Sequence, residues 1–457
     1  MSKKTFSDII IAQASPQGVG ALALLRLVGS GVLDLVEQCV NLKNKKKCSA
    51  QKSYTAHCAE IFDQDGSILD FVIIMIMRAP STFTGLDTVE ITCHNNIFII
   101  QSIIDLFLSL GARLALPGEF TKLAMIHGKI DLLQAEAIQE LLHANSPVLA
   151  KAALSQVAGS LSAKVSQYEN ELLALLATVS ATFEFIEEEQ NDFAHIIINK
   201  LIALIDELDN CQKLFDRQLH ARNGFRVVLL GSVNVGKSSL FNGLLGKSRA
   251  IVSDKAGTTR DVIEAGILYK NRFLTLVDTA GIRVTNDEIE QIGVEKALQE
   301  AILADLILLV YDGSRQLLPA EQLVYDNILN MHNKKVVVVW NKVDQGIIIE
   351  NQPKGISCSA VLQYGFDQVY DQIEKRLLQL ADQDSPPFIV NQRHMHILHA
   401  TKEKLLYILR LCQSAYPAYE IIAFELQNVL VTVSELTGKT INEQVMDRVF
   451  ATFCVGK

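Results

Sequence analysis

The stretch FRVVLLGSVNVGKSSL, residues Phe225–Leu240, decides the fold of the central part of this chain. A short apolar run, Val227–Leu230, ends at Gly231, and the spacing G-x-x-x-x-G-K-S follows. A strand that leads through such a loop into a helix is typical of a phosphate-binding P-loop, because the free N–H groups and the dipole of the helix attract anions. Lys237 is expected to reach the β- and γ-phosphates of a nucleotide, and Ser238 to hold Mg²⁺. The alternative is an ordinary glycine turn.

Further short segments follow the loop in a fixed order, and each has a separate chemical task. They are Gly257-Thr258-Thr259-Arg260-Asp261, Asp278-Thr279-Ala280-Gly281, Asn341-Lys342-Val343-Asp344 and Ser359-Ala360. Thr259 can complete the Mg²⁺ shell, Asp278 can hold the water shell of that metal, and the Gly281 N–H can meet the γ-phosphate. Any one segment alone is consistent with a polar turn at a strand end.

The identity of the base is predicted from Asp344. Its carboxylate can accept hydrogen bonds from both N1–H and the 2-amino group of guanine, whereas adenine has an acceptor at N1 and lacks the amino group. Asn341 and Lys342 are expected to flank the base, and the backbone at Ser359-Ala360 to donate to guanine O6. The whole series predicts a domain that binds and hydrolyses GTP.

The predicted GTP contacts come from all of these segments. They are Asn234, Val235, Gly236, Lys237, Ser238, Ser239, Ser253, Asp254, Lys255, Ala256, Gly257, Thr258, Thr259, Asp278, Thr279, Ala280, Gly281, Asn341, Lys342, Asp344, Ser359 and Ala360. Among them, Lys237, Thr259 and Gly281 are expected to act in catalysis, and Ser238 and Thr259 to bind Mg²⁺.

Two residues bear on how hydrolysis is promoted. Ile282 stands where Ras-like proteins place a glutamine that orients the attacking water, and an isoleucine cannot do this. Asn234 could help to hold a monovalent cation near the β- and γ-phosphates, which would supply the charge that an arginine finger supplies elsewhere. An Asx turn that shapes the loop is an equally good interpretation of Asn234.

Composition describes a large globular protein without a general affinity for nucleic acid. The 457 residues are 49% hydrophobic and 20% charged and carry a net charge of −9, so an RNA ligand would need a local basic patch or a partner. The eight cysteines form no C-x-x-C pair, which argues against zinc and favours reduced thiols in the cytoplasm. The N-terminus lacks the order of a signal peptide. The longest apolar runs, Phe71–Met77 and Leu306–Val310, are too short for a membrane span and predict buried strands.

Changes in hydrophobic periodicity predict three regions. Residues 1–118 are expected to be α+β, residues 119–222 and 381–457 helical, and residues 223–380 an α/β P-loop domain. We expect one discontinuous helical domain into which the α/β domain is inserted; two separate helical domains are the alternative. The clearest individual elements are predicted strands at Ile9–Ala12, Ala21–Leu27 and Phe71–Met77, predicted helices at Asn391–Gln413 and Ala418–Leu436, and a linker at Asp382–Pro387.

The whole chain resembles the MnmE (TrmE) family of tRNA-modification GTPases. Besides the P-loop series, the matching segments are Ala12-Gln13-Ala14-Ser15-Pro16, Ser81-x-Phe83-Thr84-Gly85, Pro117-Gly118-Glu119-Phe120-Thr121, Gly128-Lys129-Ile130-Asp131-Leu132, Gln134-Ala135-Glu136-Ala137 and Phe453-Cys454-Val455-Gly456-Lys457. A last helix that ends in C-x-G-K is specific to this family. The resemblance implies an N-terminal folate-binding domain that also forms the homodimer, and a helical domain split by the GTPase domain.

The resemblance also implies a reaction. Together with the FAD-dependent partner MnmG, in a heterotetramer, the family installs an aminomethyl or carboxymethylaminomethyl group on C5 of the wobble uridine of certain tRNAs. A methylene- or 5-formyl-tetrahydrofolate supplies the one-carbon unit or occupies its site. The competing interpretation is an RNA-binding ribosome-assembly or regulatory switch without modification chemistry, but Era-like switches lack the N-terminal half that is present here.

Further site residues follow from the resemblance, which also supports Asn234. Folate contacts fall on Arg26, Glu90, Lys129 and Lys457; K⁺ ligands fall on Asn234, Ser253, Lys255 and Thr258; and Glu290 is the acidic residue that orients the hydrolytic water. Without the resemblance, each folate residue would be interpreted as part of a surface ion pair. Cys454 is either a buried structural thiol or a reactive one, and we expect the former.

Three departures from the family pattern bear on folate affinity and tRNA docking. His94-Asn95-Asn96 replaces His-Gly-Gly, and asparagine side chains could intrude where glycine lets a ligand approach the backbone. Leu123 replaces an arginine, and Val233 replaces the proline of the P-loop. GTP binding is expected to be unaffected.

Overall fold

The computed structural model describes residues 9–144, 146–182, 187–223, 225–247, 249–250, 262–269, 272–279, 299–346, 353–380, 388–414, 416–440 and 443–456. The chain divides into two units of dense internal contact. One comprises residues 1–139, 156–206 and 396–457, and the other comprises residues 140–155 and 207–395. Each unit contains one seven-stranded sheet. The predicted linker at Asp382–Pro387 lies outside the described residues.

The first sheet is built mainly from antiparallel strands. They are β1 Ile10–Gln13, β2 Leu22–Val28, β3 Val40–Leu42, β4 Thr55–Phe62, β5 Ile68–Met77, β6 Thr88–His94 and β7 Arg113–Leu114. Their order in the sheet is β3-β4-β5-β6-β2-β1-β7, and the pairing of β1 with β7 is parallel. Alternate residues of β2, β5 and β6 point to one face, where Leu25, Ile74 and Ile91 join Phe107 in a core.

The helices account for most of the remaining described residues. They are α1 Val32–Val36, α2 Ile97–Ser109, α3 Glu119–Ile126, α4 Leu132–His143, α5 Pro147–Val157, α6 Ser160–Ala181, α7 Glu187–Asn223, α8 Lys237–Lys247, α9 Pro319–His332, α10 Phe366–Leu380, α11 Gln392–Cys412, α12 Tyr419–Thr437 and α13 Glu443–Ala451. Among the described residues, no helix combines the length and the apolar character needed to cross a bilayer.

Two long helices of the first unit pack along a regular apolar seam. In α6 the buried residues are Leu161, Val165, Tyr168, Leu172, Leu175 and Val179. In α12 they include Ile422, Leu426, Val429, Val433 and Leu436. Spacings that alternate between three and four residues keep one stripe of each helix on the partner, as in a coiled coil. Lys439, just after α12, forms an ion pair with Glu169 of α6 at 2.6 Å.

The second sheet is mainly parallel. Its strands are β8 Phe225–Leu230, β9 Arg249–Ala250, β10 Val262–Tyr269, β11 Arg272–Thr279, β12 Leu306–Asp312, β13 Val336–Asn341 and β14 Ile356–Ser357, in the order β14-β13-β12-β8-β11-β10-β9. Every residue of β12 is buried, as expected for a central parallel strand covered on both faces. The prediction of a buried strand at Leu306–Val310 is therefore confirmed.

The corresponding prediction for Phe71–Met77 is wrong on one face of the strand. In β5 the residues Val72, Ile74 and Ile76 are buried, but Phe71, Ile73 and Met75 are 56%, 48% and 38% exposed. The run is apolar on both faces, so its hydrophobicity alone could not reveal that only one face meets a core. An apolar strip along β5 therefore faces outward in this chain.

The predicted fold class is confirmed: an α+β N-terminal part, helices, and an α/β P-loop part are all present. The strands predicted at Ile9–Ala12 and Ala21–Leu27 are displaced by one residue, to β1 and β2. The helices predicted at Asn391–Gln413 and Ala418–Leu436 correspond to α11 and α12.

Candidate functional site

The second sheet brings most of the described P-loop segments to one edge. Strands β14, β13, β12, β8 and β11 are parallel, so their carboxyl ends lie together. The P-loop follows β8, Asp278 is the second-last residue of β11, Asn341 ends β13, and Ser359 lies two residues past β14. Strand β8 lies between β11 on one side and β12 on the other, so the strand order reverses at β8. Such a reversal opens the crevice in which α/β sheets bind ligands.

Asn341 joins the P-loop to the segment at Ser359-Ala360. Its Nδ2 donates to the Val235 carbonyl at 2.8 Å, and its Oδ1 accepts from the Ala360 N–H at 3.0 Å. A Cβ on Gly236, which has φ of 94°, would collide with the same side-chain amide. Only glycine fits this position without strain. Asn341 thus fixes the two loops against each other rather than only flanking a base.

Lys237 is buried at the centre of the loop. Its Nζ donates to the carbonyls of Gly231 and Ser232 at 3.0 and 2.9 Å. Burial lowers the pKa of Lys237 to about 8, although the nearby Asp278 carboxylate acts in the opposite direction. Among the described residues this buried ammonium has two carbonyls as hydrogen-bond acceptors and one carboxylate nearby, and phosphate oxygens would stabilise it further.

The residues expected around Mg²⁺ fit that ion where they are described. Asp278 is 5% exposed, and its Oδ1 is buried without a hydrogen-bond partner among the described residues. A buried carboxylate oxygen of this kind is suited to a water held by a hard cation. Thr279 anchors the strand end, since its Oγ1 donates to the Leu229 carbonyl at 2.7 Å. Ser238 is exposed at the start of α8.

The segment Asn341-Lys342-Val343-Asp344, predicted to recognise the base, is anchored by an ion pair with Asp312, which the sequence did not reveal. Lys342, with φ of 62°, donates from Nζ to Asp312 Oδ2 at 2.7 Å. Burial tends to raise the pKa of Asp312, but hydrogen bonds from Lys342 and Ser314 outweigh it and the pKa is lowered. Asp344 is exposed beside this pair and is open to a ligand. The signal in the sequence was a carboxylate at the end of an apolar strand, LILLVYD.

Asn234 lies at an exposed turn with φ of 65°, in the left-handed region that asparagine tolerates. No hydrogen bond joins its side chain to another described residue, so no Asx turn forms here. Its neighbour Val233 is half-buried. The other predicted contacts in this unit lie outside the described residues: Ser253, Asp254, Lys255, Ala256, Gly257, Thr258, Thr259, Ala280, Gly281 and Glu290, as does Ile282.

Two of the predicted folate residues pair across the first sheet. Arg26 of β2 stands directly opposite Glu90 of β6, and its Nε and one terminal nitrogen contact Glu90 Oε1 at 2.8 and 2.7 Å. Glu90 Oε2 accepts no hydrogen bond from the described residues, so it can receive donors from a pterin edge. The side chains are 24% and 18% exposed, so the pair is half-buried. The carboxylate oxygen Oε2 and the guanidinium fit the hydrogen-bond donors and the carboxylates of a folate.

The C-terminal segment, residues 453–456, lies beside Arg26. Gly456 has φ of 93°, and a Cβ there would collide with the backbone of Gln13 and Ala14. The Gly456 carbonyl accepts from Arg26 at 3.4 Å, and the Cys454 carbonyl accepts from the Gly118 N–H at 3.3 Å. Phe450 and Phe453 pack on α4 and hold the segment in place.

The two remaining folate predictions are not joined to this pair. Lys129 is exposed, its side chain lies near Gly85, and no hydrogen bond or ion pair joins it to Arg26 or Glu90 among the described residues. Lys457 lies outside the described residues. The expectation of a buried Cys454 is wrong: the thiol is exposed, because only the backbone of this residue takes part in docking the segment.

The family departures have structural explanations. Asn96 caps α2 by accepting from the Phe98 N–H at 2.9 Å, and Asn95 donates to the Gly18 carbonyl at 2.7 Å. His94 pairs with Asp70 at 2.7 Å. Both asparagine side chains are thus engaged locally. Leu123 is 6% exposed and packs on Phe120, where an arginine would need a buried partner.

Comparisons with known proteins match the chain over nearly its full length. The family model described as the MnmE helical domain matches residues 132–454, and the model described as the GTP-binding protein TrmE N-terminus matches residues 9–129. The tRNA modification GTPase MnmE of Syntrophotalea carbinolica is 37% identical over 462 residues, which cover 98% of this chain and 99% of that protein. That of Aquifex aeolicus is 37% identical over 456 residues, with the same coverage. Among solved structures, Era of Aquifex aeolicus aligns at 26% identity over 42% of this chain and 69% of its own, with a TM-score of 0.29, too low to support an inference. With both family models and full-length relatives in agreement, the chain belongs to the MnmE family.

Proposed function

We propose that this protein is a GTPase that acts in tRNA modification. The observation that carries the proposal is the convergence of the P-loop, Asp278, Asn341 and the Ser359-Ala360 segment at one edge of a parallel sheet. Membership of the MnmE family supports the same function, since relatives of full length carry that description.

The described residues have different roles in nucleotide binding and hydrolysis. Lys237 and the N–H groups at the start of α8 bind the phosphates and neutralise charge on the oxygens that accumulate it. Asn341 keeps the phosphate loop and the base loop in fixed relation. Asp344 accepts from the guanine edge, and Lys342, held by Asp312, covers the base. Mg²⁺, when bound at Ser238 and Thr259 with Asp278 beside it, supplies Lewis-acid stabilisation of phosphate charge.

Hydrolysis is proposed to depend on K⁺. The proposed ligands are Asn234, Ser253, Lys255 and Thr258, and Glu290 orients the water in place of the glutamine that Ile282 replaces. The exposed turn at Asn234, whose side chain makes no hydrogen bond to a described residue, supports a ligand role. Thr259 and Gly281 are proposed to act on the γ-phosphate. These residues, apart from Asn234, lie outside the described part of the chain.

The first unit is proposed to bind a reduced folate. Glu90 Oε2 would accept from the donor edge of a pterin, and Arg26, Lys129 and Lys457 would meet carboxylates. Together with an FAD-dependent MnmG subunit in a heterotetramer, the protein would place an aminomethyl or carboxymethylaminomethyl group on C5 of the wobble uridine of tRNA, in the cytoplasm. The tetrahydrofolate derivative would supply the one-carbon unit.

A homodimer through residues 1–118 is also proposed. The exposed strip Phe71, Ile73 and Met75 supports it, because monomeric proteins seldom leave such a strip uncovered. Met75 stands opposite Glu90, which stands opposite Arg26, so the strip and the folate pair share one row of the sheet. Residues 119–222 and 381–457 are proposed to form one helical domain, and residues 223–380 the inserted GTPase domain.

The nucleotide specificity tests the central proposal. Asp344→Asn exchanges an acceptor for a donor, so the variant should lose GTP hydrolysis and hydrolyse xanthosine triphosphate, whose base has the complementary edge. Phosphate release is measured with both nucleotides. A variant that still prefers GTP would exclude Asp344 from base recognition.

The same assay on the wild type, in K⁺ and again in Na⁺, tests the role of the cation. Equal rates in the two salts would exclude K⁺ from hydrolysis.

The control for Asp344→Asn is Asp367→Asn, which makes the same change in the first turn of α10 at a residue that is not among the predicted GTP contacts. It should keep the preference for GTP. Nucleoside analysis of tRNA from cells that carry either variant then separates a modification enzyme from an RNA-binding switch, since only the former loses a modified wobble uridine when GTP use is lost.

A further inference from the structure

The peptide groups around Ser232, in the first half of the P-loop, are held from two sides. The Ser232 N–H donates to the hydroxyl of Tyr325 at 2.7 Å. The carbonyls of Gly231 and Ser232 accept from Lys237. The proton of Tyr325 is directed to the Val310 carbonyl or to Ser232 Oγ, both 3.1 Å away. Tyr325 therefore ties the loop to the end of β12.

Tyr325 is itself fixed in place. It lies on α9 with 1% of its surface exposed, and its ring packs on that of Tyr311 with centroids 4.4 Å apart. Four residues earlier on the same helix, Glu321 forms a two-pronged ion pair with Arg315, with both distances 2.8 Å. The pair with Arg315, together with the Leu318 N–H and the Ser232 hydroxyl, lowers the pKa of Glu321 to about 2. Burial raises the pKa of Tyr325, so its phenol keeps the proton.

Lys237 and Tyr325 both fix the loop, but only Lys237 is also expected to bind the nucleotide. An ammonium has three N–H donors, and Lys237 uses two of them on loop carbonyls. The third donor can turn to a phosphate at no cost to the loop, but any additional donor given to the nucleotide is taken from a loop carbonyl. Tyr325 approaches from the opposite side, through the core, and has no such competing task.

We propose that Tyr325 is a positioning residue that keeps the first half of the P-loop in its phosphate-binding shape when Lys237 turns to the nucleotide. The inference rests on the proposed GTPase function and extends it to a residue outside the P-loop series of motifs. Its effect should fall on nucleotide affinity, because the loop supports the phosphates equally in the ground state and in the transition state.

The test compares Tyr325→Phe with Tyr311→Phe. The first variant removes the hydroxyl and leaves the Ser232 N–H and the Val310 carbonyl without that partner, while the second removes a hydroxyl from the neighbouring buried ring. We expect GDP to dissociate about tenfold faster from Tyr325→Phe, and the KM for GTP to rise by a similar factor with kcat changed by less than about twofold. Tyr311→Phe should match the wild type. Ser232→Ala, which keeps the peptide N–H, should lie closer to the wild type than to Tyr325→Phe.

The outcomes separate the inference from the proposal beneath it. Dissociation of GDP from Tyr325→Phe at the wild-type rate, or equal acceleration in Tyr311→Phe, would overturn the positioning role. A fall in kcat with an unchanged KM would overturn it too. Failure of the wild-type protein to bind GDP would instead contradict the proposed GTPase function. Thermal melting of all variants shows whether a loss of affinity accompanies loss of folding.

Discussion

At the scale of single residues, burial of the charged Lys237 side chain costs free energy. Its pKa falls from 10.5 to about 8 on burial, which corresponds to about 3 kcal/mol in favour of the neutral amine. The charged form is needed to bind phosphate. Because the folded protein binds fewer protons here than the unfolded chain between about pH 8 and the ordinary lysine pKa, this group contributes stability that grows as the pH rises through that range.

The same shift predicts how nucleotide affinity depends on pH. A phosphate beside Lys237 raises its pKa above the value in the free protein, so binding takes up a proton once the pH exceeds about 8. The affinity for GDP should therefore change little between about pH 7 and 7.5, where the terminal phosphate is already ionised, and fall by up to about tenfold per pH unit above about 8. Titration calorimetry in buffers of different ionisation enthalpy measures both the affinity and the proton uptake.

Guanosine is the control for this titration, because it has the base but lacks the phosphates. Its affinity should show no fall that begins near pH 8, and any ionisation of guanine affects both ligands alike. An affinity for GDP that follows that of guanosine across the range would show that Lys237 keeps its proton in the free protein.

At the scale of elements, the last helix α13 and the segment after it are tied to strands from the start of the chain. Phe450 and Phe453 pack on α4, and Gly456 lies against the backbone that follows β1. Chain ends are commonly frayed unless they are tied down in this way. The docking brings the Gly456 carbonyl to Arg26, and so links the end of the chain to the Arg26–Glu90 pair.

Gly456→Ala tests whether this docking shapes a folate site. The new Cβ would collide with the Gln13 backbone, so the segment should move away from Arg26 and the affinity for 5-formyltetrahydrofolate should fall by about tenfold or more. Glu90→Ala, which removes the proposed pterin acceptor, should abolish binding. Calorimetry with the full-length protein measures both effects.

Gly66→Ala is the matched control. Gly66 also has a positive φ, 86°, but a Cβ at this position would have nothing within 4 Å, so only the left-handed backbone cost of about 1–2 kcal/mol applies. This variant should lose stability and keep folate binding. If Gly456→Ala binds as the wild type does, the C-terminal segment plays no part in the site, and a wild type that binds no folate would remove the site altogether.

At the scale of the whole molecule, the outward face of β5 is apolar yet exposed in a single chain. Phe71, Ile73 and Met75 form an apolar strip, and Cys58 on the neighbouring strand β4 is exposed beside Ile73. Burying such a strip stabilises an assembly by about 25 cal/mol for each Å² of apolar surface removed from water. A second copy of the chain is the proposed cover.

Ile73→Asp should convert the proposed dimer into monomers. The side chain is 48% exposed in the single chain, so the charge should cost the fold little while opposing burial in an interface. Sedimentation equilibrium measures the mass. Leu323→Asp on α9, where the side chain is 68% exposed, is the control and should leave the mass unchanged. A monomeric wild type, or a dimeric Ile73→Asp, would rule out this strip as the interface.

The sequence by itself determined those features that depend on short-range spacing. The P-loop could be predicted from Gly231 to Ser238 because a strand, a glycine turn and a helix start are local structures, and α11 and α12 could be predicted from helical periodicity. The candidate site could be predicted as a set of segments, since the described ones lie at or just after the ends of β8, β11, β13 and β14. Family resemblance alone supplied Arg26 and Glu90.

Only the tertiary structure decided which residues meet across long separations. Tyr325 and Ser232 lie 93 residues apart, and no local pattern marks the tyrosine as different from any other apolar helix position. Asp312 reaches Lys342 only because β12 and β13 pair in parallel register. The exposure of β5 and of Cys454 depends on what packs against each face, which is a property of the assembled chain and not of the residues themselves.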